Sequence, residues 1–148
     1  MRSFALLSLA LALAACGPKT STMDALLTRE VTLPGGQVIR AETVADTRDL
    51  LRGLMFRNSL ADDRGMLFIH PVAGHYSYWM YQTYIPLDMI WMDENHRIVE
   101  IVESAAPCKT VASQCAHYGG RESARFVLEL NGGAVKHFGI KAGQTIQW

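Results

Sequence analysis

An aspartate lies inside an apolar run of the sequence and is the first candidate for chemistry. Asp88 stands between Leu87 and Met89 in "TYIPLDMIWM", a segment whose composition is typical of a buried strand. A buried carboxylate is unstable unless it is paired or hydrogen-bonded. The favoured interpretation is structural: Asp88 pairs with Arg52 or Arg57, or accepts backbone N–H hydrogen bonds and fixes a turn.

A functional interpretation places the same aspartate at the mouth of a cleft. Arg57 and Thr83 would share the cleft with Asp88, and Trp79 and Tyr81 would line it. Aromatic faces combined with a few polar groups suit a small polar ligand such as a sugar. These five residues are therefore the predicted ligand-binding site.

Acid–base catalysis would require a second titratable group within reach of one reacting bond. Glu129 is the one carboxylate that a later strand could bring near Asp88. No catalytic residue is assigned on this basis, and non-enzymatic binding is favoured. The alternatives are a hydrolase of cell-envelope carbohydrate that uses Asp88, and a structural or assembly partner in the envelope.

The two cysteines of the second half of the chain flank a short polar segment, "CKTVASQC". In an oxidising compartment Cys108 and Cys115 are expected to form a disulfide. A thiol metal site with His117 is the alternative, but the sequence has no second cysteine pair to complete it. The methionines follow apolar strand and helix positions and predict core packing. No metal and no cofactor is predicted.

The N-terminus is typical of a targeting segment. Arg2 precedes "FALLSLALALAA", which is too short to span a bilayer, and "LAAC" resembles the lipobox of bacterial lipoprotein signal peptides. The resemblance implies removal of residues 1–15 and lipidation of Cys16, which would anchor the chain to a membrane. An ordinary secretory signal is the alternative. Gly17 replaces the aspartate that usually retains lipoproteins in the inner membrane, which favours the outer membrane and a periplasm-facing domain.

Composition excludes one class of partner. The chain has 148 residues with fourteen basic and fourteen acidic side chains, and no basic cluster stands out, so nucleic-acid binding is not predicted. The segment "GPKTSTMDA" is polar without apolar periodicity, and residues 16–27 are predicted to form a flexible tether. Residues 28–148 are predicted to form a single globular domain.

The remaining pattern predicts a mostly β fold with two short helices, of the α+β class. A hairpin turns at Pro34–Gly36, a helix covers "DTRDLLRGLMFR", and strands follow at "RGMLFIHP", "HYSYWMYQTY", "LDMIWM" and "RIVEIVES". A strand "RFVLEL", a helix "GGAVKHFG" and a final strand "QTIQW" complete the chain. The expected architecture is a small antiparallel β-barrel-like domain with helices at its ends.

Three sequence blocks resemble those of a known family. "GLMFRNSL", "RGMLFIH" and "WMYQTYIPLDMIWMD" occur in the order in which the domain of unknown function 192 family carries its Gly-Leu-Met-x-Arg, Gly-Met-Leu-Phe and Met-x-x-Thr-x-x-Pro-Leu-Asp blocks. The resemblance extends from about residue 28 to the C-terminus. It implies a fold and leaves the function open, because the family has no established activity.

Overall fold

The structure is a computed structural model that describes residues 27–148. The expected signal peptide (1–15), the lipidation site Cys16 and the tether up to residue 26 lie outside the described residues. The strands are β1 (Thr28–Thr32), β2 (Val38–Val44), β3 (Arg64–Gly74), β4 (Tyr78–Trp79), β5 (Leu87–Met92), β6 (Ile98–Ala105), β7 (His117–Tyr118) and β8 (Ala124–Asn131), and the helices are α1 (Thr47–Arg52) and α2 (Ala134–His137).

Six strands form one mixed sheet in the order β1-β2-β3-β8-β5-β6, and β4 pairs with β7 in a separate two-stranded sheet. The mostly β composition with two short helices is confirmed. The domain is barrel-like only in part: β2 and β3 are parallel, and no closed barrel forms within residues 27–148. The C-terminal segment bridges the two edges of the sheet, with Gln147 paired to Thr32 at the end of β1 and Thr145 paired to Arg97 just before β6. A parallel pair requires a long crossover, and the segment between these strands, which contains α1, provides it.

The predicted hairpin between β1 and β2 is confirmed. Gly36 has a φ of 87° and donates its N–H to the carbonyl of Leu33 at 2.8 Å. Glycine reaches this left-handed conformation without steric penalty. The turn sets the register in which Val31 pairs with Ile39.

Helix α1 is shorter than the predicted segment. The side chain of Asp46 caps its N-terminus by accepting the N–H of Arg48 at 2.9 Å, and Gly53 ends it with a φ of 46°.

No helix within residues 27–148 combines the length and the apolar character needed to cross a membrane. The predicted strand "QTIQW" is reduced to isolated bridges from Thr145 and Gln147.

Both faces of the large sheet are covered. On one face the C-terminal layer contains Leu128, Val135 and Ile146. On the other face the aromatic layer contains Phe68 and Trp91; its other buried members include Leu54, Met66, Met80, Met89 and Val127. All six residues of β5 are consequently buried, as expected for a central strand between two layers.

Candidate functional site

The carboxylate of Asp88 is hydrogen-bonded by the backbone. Asp88 is fully buried on the side of the C-terminal layer, and its carboxylate accepts three backbone N–H hydrogen bonds. The donors are Ser104 at 2.7 Å, Gly133 at 3.0 Å and Val135 at 2.7 Å. An apolar layer covers each side of β5, so Asp88 is buried together with its neighbours on the opposite face. Asp88 therefore accepts backbone N–H hydrogen bonds, as the second structural alternative predicted, and does not pair with Arg52 or Arg57.

Arg57 does not pair with Asp88. Its guanidinium forms a two-point ion pair with Glu42, with nitrogen–oxygen distances of 2.5 and 2.7 Å. The side chain of Arg57 is 17% exposed and that of Glu42 is 3% exposed, so the pair is partly desolvated. A two-point arginine–carboxylate contact is among the strongest side-chain hydrogen-bond arrangements. Arg52 is exposed at the end of α1.

The described residues contain four buried carboxylates: Glu42, Asp88, Glu100 and Glu129. The carboxylate of Glu100 accepts hydrogen bonds from the guanidinium and from the backbone N–H of Arg121. Burial by itself raises the pKa of Glu100, but these hydrogen bonds outweigh burial and the pKa is lowered. Three of the four acids are thus provided with donors.

Glu129 differs from the other three because it accepts no hydrogen bond within residues 27–148. It is 4% exposed and lies in the aromatic layer, where its Cα is in register with Met66 on β3 and Met89 on β5. Burial raises the pKa of Glu129 to about 8, and the charge of Arg57 opposes that rise. The fully buried side-chain atoms without a hydrogen-bond partner in residues 27–148 are Thr43 Oγ1 and Arg125 Nε, so the carboxylate oxygens of Glu129 are not among them.

Asp88 and Glu129 cannot act as a catalytic pair. Asp88 is in register with Leu130, whereas Glu129 is in register with Met89, so the two carboxylates leave the sheet on opposite faces. The expectation that Glu129 approaches Asp88 is therefore wrong.

A cavity of 380 Å³ lies between α1 and the β4–β7 sheet. Its volume falls within the range typical of small-molecule sites. Five rings line it: His70, Tyr76, Tyr78, Trp79 and His117. Thr47, Leu50 and Leu51 of α1 complete the lining together with Ser77.

The deep side of the cavity holds a tyrosine–histidine pair. The hydroxyl of Tyr78 is 3.0 Å from Nε2 of His70, and the ring of His70 stacks on Tyr76 with centroids 3.5 Å apart. Burial, assisted by the charges of Glu129 and Tyr76, raises the pKa of Tyr78 far above its usual range. Burial also lowers the pKa of His70. Because Tyr78 is protonated and His70 is neutral, the hydroxyl of Tyr78 donates the hydrogen bond to Nε2 of His70. The single ring proton of His70 is therefore assigned to Nδ1.

The disulfide supports the outer wall of the cavity. Cys108 and Cys115 are bonded, as predicted. The N–H of Cys108 donates to the carbonyl of Met80, directly after β4, and His117 begins β7 two residues after Cys115. The disulfide thus joins the end of β4 to the start of β7. It also excludes the thiol metal site, and residues 27–148 contain no group of three His, Cys, Asp or Glu side chains that could hold a metal ion.

The predicted ligand-binding residues are dispersed in the structure. Trp79 lines the cavity, and Tyr81 contacts Trp79 with ring centroids 5.4 Å apart. Arg57, the buried Thr83 and Asp88 do not line the cavity.

None of His70, Tyr76, Tyr78 and His117 belongs to the predicted ligand-binding site; the sequence indicates His117 only as the third ligand of the alternative thiol metal site. The available signal is the density of aromatic residues between Tyr76 and Tyr84, which is typical of a core and marks a ligand surface only where the rings are exposed together. His117 lies 38 residues further along than Trp79, and only the pairing of β4 with β7 brings the two rings to 5.9 Å.

Comparison with known proteins identifies relatives of this chain. The model of the DUF192 family, described as "Uncharacterized ACR", matches residues 30–148. A UPF0127 protein of Thermococcus gammatolerans is 28% identical over 99 residues, which cover 66% of this chain and 58% of that protein. The chain therefore spans somewhat more than half the length of that relative.

Two crystal structures share the fold. A protein of unknown function from Novosphingobium aromaticivorans is 30% identical, with a TM-score of 0.77 over 94% of this chain and 99% of the other. A chain from Sinorhizobium meliloti 1021, described as a candidate transcription regulator, is 32% identical, with a TM-score of 0.74 over 82% of this chain and 94% of the other.

Proposed function

The chain belongs to the DUF192 family, and from the cavity beside β4 and β7 we propose that it is a lipid-anchored, periplasm-facing protein that binds a small ligand. The observation that carries the proposal is the cavity itself. Its 380 Å³ volume, ringed by aromatic side chains with a few polar groups, matches the general composition of a ligand pocket. The lipobox-like "LAAC" and the disulfide support an envelope location.

Binding is preferred to hydrolysis because the acids are poorly placed for catalysis. Asp88 is occupied by three backbone donors, Glu42 by Arg57 and Glu100 by Arg121. Within residues 27–148, Glu42 on β2 lies in the same row as Glu129, and it is already paired with Arg57. A glycoside hydrolase requires two carboxyl groups that flank one bond.

Nucleic-acid binding receives no support from the charge. Fourteen basic side chains balance fourteen acidic ones, and the residues that line the cavity include neither lysine nor arginine. Proteins that bind nucleic acids depend on a surplus of basic groups to neutralise phosphates.

The proposal is tested by nuclear magnetic resonance with defined fragments of the envelope. The full-length protein is titrated with N-acetylglucosamine, N-acetylmuramic acid, phosphoethanolamine and choline. At least one of these probes should shift the side-chain resonances of Trp79 and His117. Trp79→Leu should abolish the shift at His117.

Tyr84→Leu is the matched control, because Tyr84 is an exposed ring that does not line the cavity. This variant should bind like the wild type. If no probe shifts the cavity resonances, or if Trp79→Leu binds unchanged, the cavity is not the ligand site and the proposal is wrong.

A further inference from the structure

The lining of the cavity contains aromatic rings but no formally charged side chain. Tyr76, Tyr78 and Trp79 contribute rings, and no lysine, arginine, aspartate or glutamate contributes to the wall. Resting on the function proposed above, we infer that the ligand is a small organic cation of the ammonium class. The faces of tryptophan and tyrosine carry negative potential and attract such cations, most strongly where water is excluded.

The lining of the cavity offers an anion no lysine or arginine; its nitrogen donors are the side chains of His70, Trp79 and His117. Burial lowers the pKa of His70, so its ring is uncharged at neutral pH and offers one N–H group. The guanidinium of Arg57, which lies outside the cavity, is already paired with Glu42.

A buried acid lies behind the aromatic wall. Glu129 is 4% exposed, accepts no hydrogen bond within the described residues, and acts electrostatically on Tyr78, which lines the cavity. Glu42, Arg57 and Glu129 together carry zero charge when Glu129 is protonated and one negative charge when it is ionised. A cation beyond Tyr78 would be stabilised by that negative charge.

The cation and the proton of Glu129 are consequently linked. The charged or titratable groups that act on Glu129 are Arg57 from the loop after α1 and Tyr78 from β4, with Glu42 in the same row on β2. Met66 and Met89 on the flanking strands do not titrate. A bound cation favours the ionised form of Glu129, so binding should release a proton and should strengthen as pH rises through the pKa of Glu129, about 8.

The test compares two probes of the same shape. Choline carries a quaternary ammonium, and 3,3-dimethyl-1-butanol is its uncharged isostere. Calorimetric titration of the full-length protein at pH 9 should give choline a dissociation constant roughly tenfold lower than that of the alcohol. Trp79→Leu should remove this difference, and Tyr84→Leu should retain it.

Glu129→Gln tests the link to the proton. In the wild type the affinity for choline should rise by about tenfold between pH 7 and pH 9, whereas the affinity for the alcohol should stay constant. In Glu129→Gln the choline affinity should be independent of pH over the same range. A pH dependence that persists in this variant would exclude Glu129 as its origin.

The two proposals can fail separately. Equal binding of choline and its isostere in the cavity would overturn the cation assignment and leave the binding function intact. If N-acetylglucosamine binds in the cavity and choline does not, the cation assignment is likewise overturned and the binding function remains. Failure of every probe to shift Trp79 and His117 would overturn both proposals.

Discussion

Asp88 and Glu129 are one residue out of register on the neighbouring strands β5 and β8, and their side chains leave the sheet on opposite faces. Asp88 enters the C-terminal layer and accepts three backbone N–H groups. Glu129 enters the aromatic layer, where the described residues offer it no donor. The two carboxylates therefore differ in their surroundings: Asp88 is hydrogen-bonded by backbone donors, and Glu129 is not.

Loss of the charge at Asp88 should destabilise the fold. In Asp88→Asn one oxygen becomes an NH₂ group that faces a backbone N–H, so a donor meets a donor. We expect the free energy of unfolding to fall by about 3 kcal/mol. Urea denaturation measures this loss.

Asp63→Asn is the control for Asp88, because Asp63 is exposed beside β3. The control should unfold within about 0.5 kcal/mol of the wild type. Equal midpoints for Asp88→Asn and the control would show that the three hydrogen bonds contribute little.

Glu129 should make the wild-type protein less stable in alkali. Its pKa is about 8 in the folded state and 4.5 in a solvated chain, so between these values the folded state holds a proton that the unfolded state has released. The free energy of unfolding should therefore decrease as pH rises through this interval and level off above it. The full loss is at most about 5 kcal/mol.

Glu129→Gln removes this titration. The variant should match the wild type near pH 4.5 and exceed its stability at pH 9, as measured by urea denaturation at each pH. Glu103→Gln, at an exposed position of β6, should leave the pH profile unchanged. Parallel profiles for the wild type and Glu129→Gln would contradict a raised pKa.

The disulfide should contribute both stability and order to the cavity wall. Closing a loop of about eight residues is worth about 2.5 kcal/mol in the chain-entropy treatment. Replacement of Cys108 and Cys115 by serine should lower the free energy of unfolding by about this amount. Amide hydrogen exchange should accelerate at β4 and β7 more than at β8, and equal rates at β4 would show that the disulfide does not hold the wall.

The lipid anchor is a prediction of the sequence for residues outside the described part of the chain. Mass spectrometry of the mature N-terminus should find Cys16 as the first residue and acylated. Cys16→Ser should yield a protein without acyl chains that no longer sediments with membranes. An unmodified Cys16 in the wild type would exclude lipoprotein anchoring.

Local features of the fold were accessible from the sequence. The hairpin at Pro34–Gly36 follows from turn chemistry, since glycine at a left-handed position is a property of a few consecutive residues. The disulfide between Cys108 and Cys115 follows from proximity along the chain. The assignment of "LDMIWM" as a strand also implies that Asp88 and Met89 lie on opposite faces, because successive side chains of a strand point to opposite sides.

Only the tertiary structure decided what each face meets. Alternation does not show that two apolar layers enclose β5, nor that the donors to Asp88 come from Ser104, Gly133 and Val135. Each of these partners is separated from Asp88 by at least sixteen residues and is selected by strand register and by the docking of α2. Likewise, the pairing of β4 with β7 assembles the cavity. Contacts of this kind depend on how segments that are distant in the sequence pack together, and short-range periodicity does not predict that packing.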